Sequence, residues 1–342
     1  MKRLARIPGL KIWTLLLLAA GTFSSCNVLT EEEQDCTVYV RFKYDMNMKF
    51  ADAFQNAVNS VTLYAFDKNG VLAYQKTEEG DLLKQDGYRM RLDGISHSDK
   101  AEYDFITWAG EPDNESFTIP VLTEGKHTKE DLYCQLNRAG DGIVNDNLED
   151  LFHGQVSDLN FGRAAMQPGE EVVMPLVKNT NSIRIMLQHI SGEPLNVDEF
   201  KFSITDYNGK MNYDNTLLDK DVKISYQAWY TGNGNADVEG ENSGTPAINV
   251  AIAELAVARL MADAKPVLTV TDLKGKEILK LDLVQCALMY KREKYNDMSN
   301  QEFLDREDEY NFTFFLDDGN RWISSSIIIN SWRVVLQNSD LQ

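Results

Sequence analysis

Apolar and polar residues alternate at period two along much of this chain, which is the spacing of a half-buried β-strand. Thr37-Val38-Tyr39-Val40-Arg41-Phe42-Lys43-Tyr44 shows it first. Tyr103 to Ala109, Ser182 to Leu187, Lys223 to Tyr230, Val267 to Asp272 and Glu277 to Leu283 repeat it, and Ser326 to Leu336 is a long apolar-rich final strand or pair. Between such runs a turn signature recurs. Val61 to Phe66 leads into Asp67-Lys68-Asn69-Gly70, and Val71-Leu72-Ala73-Tyr74 leads away. Asp206-Tyr207-Asn208-Gly209, Asp272-Leu273-Lys274-Gly275 and the shorter Asp317-Asp318-Gly319 follow the same pattern. An aspartate fixes the first position of such a turn by accepting backbone N–H groups ahead of it, and glycine supplies the positive φ at the exit. Each reads as a hairpin. The intervals are irregular, which argues for shared turn chemistry and against a solenoid.

Helical spacing is scarce. Phe50, Phe54 and Val58 fall at i, i+4 and i+8 and predict a short amphipathic helix over 50–58. Ala247 to Met261 has alanine-rich helical composition but strand-like alternation at Ile248, Val250 and Ile252. The Gly/Asn-rich run Thr231 to Thr245 reads as a mobile loop. Many short strands divided by Gly/Asn/Asp turns predict an all-β chain of sandwich class with few short helices. A polar break at Lys178-Asn179-Thr180-Asn181 places the expected boundary, with one β-sandwich domain over 36–178 and a second over 179–342.

The first 33 residues follow neither period. Lys2, Arg3, Arg6 and Lys11 precede an apolar stretch of roughly ten residues from Ile12 to Ala20, against about 20 for a membrane-spanning helix. That length fits the core of an export signal. Phe23-Ser24-Ser25-Cys26 closes it, like a bacterial lipobox with phenylalanine where leucine is usual. On that reading residues 1–25 are a lipoprotein signal peptide, Cys26 carries lipid, and 26–35 is an acidic tether through Glu31-Glu32-Glu33. The other reading is an ordinary secretory signal with an incidental cysteine. Either one takes the chain out of the cytoplasm.

Composition narrows the partners. The chain has 34 basic and 53 acidic residues, a formal charge of −19. Four of the basic residues and no acid lie in the signal, so the remainder is more acidic still. Such a surface repels nucleic acid and anionic lipid. Cys36, Cys134 and Cys286 remain if Cys26 is lipidated, and an odd count leaves one thiol unpaired. Cys36 with Cys134 is the first disulfide to test, since both fall before residue 178.

Catalytic constellations are not evident. The four histidines, His97, His127, His153 and His189, form no HExxH, and no GxSxG or phosphate-cradling loop occurs. No Cys/His cluster supports zinc. Asp141 to Asp150 is rich in oxygen ligands, but its glycine stands second rather than sixth as in an EF-hand, so an acidic surface loop is the simpler reading. The carboxylates of Glu302 to Glu309 single out no catalytic pair. Trp108, Trp229, Tyr230, Trp322 and Trp332 are candidates for a sugar platform, although aromatics at strand positions more often pack cores. The expectation is a non-enzymatic protein with no cofactor and no metal.

With lipobox, acidic tether, strand, helix and hairpin in this order, the chain resembles the FimB-type fimbrial anchor and accessory family of Bacteroides-like bacteria. Cys36, the strand Val38 to Tyr44 closing on Asp45-Met46-Asn47, Asp52 and Phe54, and the block Val61 to Gly70 carry the resemblance. Ile327-Ile328-Ile329-Asn330-Ser331-Trp332-Arg333-Val334 resembles that family's closing strand. The resemblance implies two tandem transthyretin-like, Greek-key sandwiches in an outer-membrane, surface-exposed lipoprotein of a fimbria (pilus). Its partners would be pilin subunits, joined by β-strand addition, and the membrane through its lipid. Ile327, Ile329, Trp332 and Val334 are the strand-exchange candidates. Related stalk pilins lose an N-terminal strand at an arginine, and here no arginine lies between Cys26 and Val40. That favours an uncleaved basal anchor over a stalk or tip subunit. A surface glycan-binding lipoprotein is the alternative.

Overall fold

The computed structural model describes residues 38–95, 102–161, 171–218, 222–236 and 248–335. Strands dominate, arranged in four sheets. The largest has seven strands in the order β3 (Leu72–Glu79), β2 (Ser60–Asp67), β5 (Glu102–Gly110), β9 (Leu151–Asn160), β10 (Glu171–Lys178), β1 (Val38–Lys43) and β4 (Met90–Leu92). A six-stranded sheet runs β15 (Tyr230–Ala236), β16 (Ile248–Ala258), β11 (Thr180–His189), β19 (Glu309–Leu316), β20 (Trp322–Ile329) and β21 (Trp332–Val335). A five-stranded sheet runs β18 (Glu277–Asp282), β17 (Val267–Asp272), β12 (Phe200–Asp206), β14 (Ile224–Gln227) and β8 (Ile143–Val144). The smallest joins β13 (Lys210–Asn212), β7 (Tyr133–Leu136) and β6 (Phe117–Thr118). The helices α1 (Phe54–Ala57), α2 (Leu283–Lys294) and α3 (Asn300–Arg306) are short. The all-β expectation holds.

Alternation sets the layers. In β1, Val38, Val40 and Phe42 are buried while Tyr39, Arg41 and Lys43 are half-buried. In β11, Ile183, Ile185 and Leu187 point into the core between the six- and five-stranded sheets, against Phe202 and Ile204 of β12 and Leu268 and Val270 of β17. Each fully buried side chain of this size stabilises the fold by about 1.5–3 kcal/mol. The seven-stranded sheet is buried on both faces at β2 and β5. Val61, Leu63, Ala65 and Phe105 face one core, and Tyr64, Phe66, Ile106 and Trp108 face the core that continues into the second half of the chain.

The last strand of the first half and the first of the second, β10 and β11, are joined by one residue, Asn179, which is fully buried. The halves are nevertheless interleaved. The segment between β5 and β9 leaves the large sheet, and its β8 pairs in parallel with β14 while its β7 pairs with β13.

Three turn signatures form as expected. Asp67 Oδ1 accepts from the N–H groups of Asn69 and Val71, with Gly70 at φ 75°. Asp272 Oδ1 does the same for Lys274 and Lys276, with Gly275 at φ 82°. Asp317 Oδ1 accepts from Gly319 and Arg321, but the left-handed residue there is Asn320, at φ 57°. The signature at Asp206 makes a turn but no hairpin, because β12 pairs with β14 and β17 while β13 goes to β7.

Other expectations change. The helix over 50–58 shrinks to one turn, with Phe54 and Val58 buried and Phe50 exposed at φ 52°. The alanine-rich run is strand β16, because pairing on both sides with β11 and β15 outweighs alanine's helix propensity. The mobile loop expected from Thr231 begins instead as β15, and 237–245 lies outside the described residues. The strand over Lys223 to Tyr230 divides into β14 and β15, which belong to different sheets. Helix α2 has no apolar periodicity strong enough to announce it, although Asp282 caps it by accepting from Gln285 N–H and its last turn is basic.

Candidate assembly interface

An incomplete sheet exposes unpaired backbone N–H and C=O groups along its outer strand, so the edges are where another chain can pair. The six-stranded sheet ends in β15 on one side and β21 on the other. The β21 edge is built by a tight hairpin. Ile329 pairs with Trp332 across the two-residue turn Asn330-Ser331, whose φ values of 45° and 71° are the doubly left-handed geometry of a type I′ hairpin. Asn330 also ties this turn to β19: its Oδ1 accepts from Asn311 N–H at 2.7 Å, and its Nδ2 donates to the Glu309 carbonyl at 3.1 Å.

The four strand-exchange candidates divide between the hairpin's two arms. Ile327 and Ile329 are fully buried on β20, opposite Phe314 and Phe312 of β19, and so are part of the chain's own core. Trp332 and Val334 lie on β21, the edge strand. Sequence alone showed the apolar run but not which arm is the edge. Trp322 packs edge-on against Phe314, with centroids 5.9 Å apart, and closes the upper end of this layer.

At the opposite edge β15 carries Gly232 and Gly234. A Cβ at Gly232 would lie 2.5 Å from the Tyr230 hydroxyl, so the tyrosine lies over the strand face there and only glycine leaves it room. Trp229 and Tyr230 beside it are 38% and 48% exposed, with ring centroids 6.0 Å apart. Trp108 is buried in the core and joins no surface platform with them.

The direction of the strands places the ends of the chain. β1 and β10 are parallel, so the N-terminal end of β1 lies beside the start of β10, remote from Asn179. β11 leaves Asn179, β19 is parallel to it, and β21 returns to the same direction after the antiparallel β20. The chain therefore enters the first half and leaves the second at the two ends farthest from the junction. The junction itself is held by polar contacts. Asn179 and Asn215 exchange side-chain hydrogen bonds of 2.6 and 3.1 Å. Lys178 Nζ reaches Asp150 at 2.9 Å and Asp308 at 2.8 Å. Burial acts to lower the Lys178 pKa, but the two carboxylates outweigh it and hold the ammonium above its usual range. Arg306 donates to the Asp45 carbonyl at 3.0 Å, across 261 positions of sequence.

The remaining candidates resolve simply. Cys26 and Cys36 lie outside the described residues. The expected Cys36–Cys134 pair thus falls outside the described residues; Cys134 itself is fully buried on β7, and burial pushes its thiol pKa up. His153 is buried beside Trp108, its Nε2 2.8 Å from the Tyr213 carbonyl; burial lowers its pKa to about 4. That is a structural histidine held neutral. Among the described residues no group of three or more His, Cys, Asp or Glu side chains is arranged to hold a metal ion, and no helix is long and apolar enough to cross a membrane.

A family model described as fimbrillin-A associated anchor proteins Mfa1 and Mfa2 matches residues 32–338. Among solved structures, a candidate polysaccharide-binding protein from Bacteroides thetaiotaomicron is 32% identical. Its TM-score is 0.75, and the match covers 90% of this chain and 100% of that one. A candidate adhesin from the same organism is 33% identical with a TM-score of 0.76, covering 88% and 97% of the two chains. The fimbrial anchor protein Mfa2 of Porphyromonas gingivalis shares the fold at 17% identity and a TM-score of 0.66, over 88% and 99%. No curated protein matches the sequence.

Proposed function

Because the chain belongs to the family of fimbrillin-A associated anchor proteins Mfa1 and Mfa2, we propose that it is the basal anchor of a fimbria. In this reading lipid on Cys26 holds it in the outer membrane, and the β21 edge receives or donates a strand in pairing with a pilin subunit. The family match carries the fimbrial role. The strand directions support the polarity, since β1 begins and β21 ends on the sides of their halves that face away from Asn179. An anchor needs no chemistry of its own, and the buried His153, held neutral, has a structural place in it.

Two substitutions test the two ends. Cys26→Ala is expected to move the protein from the membrane fraction to the soluble fraction, and retention in the membrane would remove the lipid from the reading. Deleting residues 332–342 takes away β21 and leaves the buried arm β20 in place. Co-purification with pilin should then be lost while circular dichroism still reports a β-rich fold. Undiminished pilin capture by the folded truncation would exclude β21 as the joining edge.

A further inference from the structure

A protein fixed to a membrane at one end and to a filament at the other is pulled along its length, and the strand order bears on how it resists. We infer that this chain carries tension through two parallel strand ladders in series, both loaded in shear. The inference rests on the anchor reading for where the force is applied, but the ladders are a property of the fold.

Tension from the tether enters at the N-terminal end of β1. That strand lies beside β10 in parallel, with five register pairs from Tyr39↔Glu171 to Lys43↔Pro175. Tension from the second half enters at the opposite end of β10, through Lys178 and the single linking residue Asn179. The two neighbouring strands are thus drawn in opposite directions from opposite ends. Parallel hydrogen bonds are evenly spaced along the ladder, so a pull along the strands loads them together. A pull across the same ladder from one end would open them one at a time. Arg41 Nε and Glu171 Oε1, 2.6 Å apart, add a cross-strand ion pair at the end where the tether pulls.

The arrangement recurs beyond the junction. β11 begins directly after Asn179 and is parallel to β19 over eight register pairs, from Ser182↔Glu309 to His189↔Leu316. Tension reaches β11 at its N-terminal end and leaves on the far side through the β19–β20–β21 hairpins, so this ladder too is sheared. β11 and β19 are interior strands of their sheet, and β1 and β10 of theirs, each flanked on both sides. Neither can be stripped from an edge. The strand that takes the membrane's pull is therefore not next in sequence to the strand that takes the filament's; it is its neighbour in space.

Single-molecule force spectroscopy tests this, because rupture under load reports the barrier to unfolding and not the equilibrium stability. Residues 26–342 are held in two geometries: by peptide-tag handles at both termini, or by the N-terminal handle and a thiol handle at Glu171→Cys. Cys26 and Cys36 are replaced by serine so that the new thiol is the accessible one. The second geometry pulls β1 and β10 apart from the same end. The expected result is at least a twofold higher rupture force between the termini than between the N-terminus and position 171. Equal or lower force between the termini overturns the inference. Urea denaturation checks that the Glu171→Cys protein is folded, and Val173→Cys, at an exposed position of the same strand, replaces it if it is not. The handles stand in for the lipid, so this outcome is independent of whether Cys26→Ala releases the protein from membranes.

Discussion

The two halves of the chain bury their sheets in different ways. The second half supplies all of the six-stranded sheet and four of the five strands of the other, and closes its core between them. The first half has one large sheet, and only one face of it is covered by nearby chain: a lid made by α1, the loop before it and the segment 80–88 that precedes β4. There the rings of Phe42, Phe54 and Tyr88 stack with centroids 5.6 to 6.5 Å apart. The other face, with Tyr64, Phe66, Ile106 and Trp108, is covered by the excursion that carries β6, β7 and β8, and this excursion is itself paired with strands of the second half. The second half is thus nearly self-sufficient and the first is not. A boundary in sequence at Lys178/Asn179 is not a boundary in packing.

The sharpest way to break this comparison is to separate the halves. Residues 38–178 expressed alone would expose the Trp108 face and lose the partners of β7 and β8. The expected outcome is no cooperative urea transition and strong binding of a hydrophobic dye, while the intact chain unfolds in one step. Cooperative unfolding of the isolated first half would show that the shared face is dispensable.

Local chemistry made the elements legible and left their pairing obscure. The alternation in β1, β11 and β17 gave strands with the right face inward, whereas β5 is buried on both faces. The aspartate turns at Asp67, Asp272 and Asp317 gave true hairpins. The same signature at Asp206 failed because a turn constrains four residues, whereas the partner of the next strand is chosen by the rest of the fold; here β7 claimed β13. The helix could not begin at Phe50, which adopts a left-handed backbone that i, i+4 spacing cannot announce. The candidate interface was half visible. The apolar run from Ile327 to Val334 is plain in the sequence, but a period of two assigns faces and says nothing of which strand lies at an edge. Contacts such as Arg306 with the Asp45 carbonyl have no local signal at all.

The halves also differ in how their buried ionisable groups respond to acid. His153, in the first half, is held by burial at a pKa of about 4, below the ordinary histidine value. The unfolded chain binds this proton near pH 6.5 and the folded chain does not. Its contribution is therefore fully present above pH 6.5 and lost as pH falls toward 4, by about 3 kcal/mol in all. Glu307, in the second half, is pushed by burial up to about 7. Its contribution runs the other way: full below the ordinary glutamate range and lost as pH rises through 7. Asp206, raised by burial to about 6, acts in the same sense as Glu307. Urea melts should show the parent protein less stable at pH 7 than at pH 5, since the two raised carboxylates outweigh the one depressed histidine over that interval. His153→Gln should gain stability at pH 5 relative to pH 7, and Glu307→Gln should show the reverse. Unchanged slopes in both variants would mean that these groups titrate alike in the folded and unfolded chains.

The smallest effect concerns the loop that links the first half's lid to α3. Phe50 is 58% exposed, yet it keeps a left-handed φ of 52° and lies under the Arg306 guanidinium, 4.6 Å from its ring centroid. Two terms of similar size oppose each other here. A left-handed backbone costs a non-glycine residue about 1 kcal/mol, and an exposed cation–π contact returns about 0.5–1 kcal/mol. Phe50→Ala keeps the backbone cost and loses the contact, so it should destabilise the protein by about 1 kcal/mol. Phe50→Gly loses both and should come out near zero. If urea melts show alanine and glycine to be equivalent, the backbone at 50 is not held left-handed in solution and the lid is free of α3. If alanine is the weaker of the two, the loop is fixed by its contact with the second half, and even the first half's own cover depends on its neighbour.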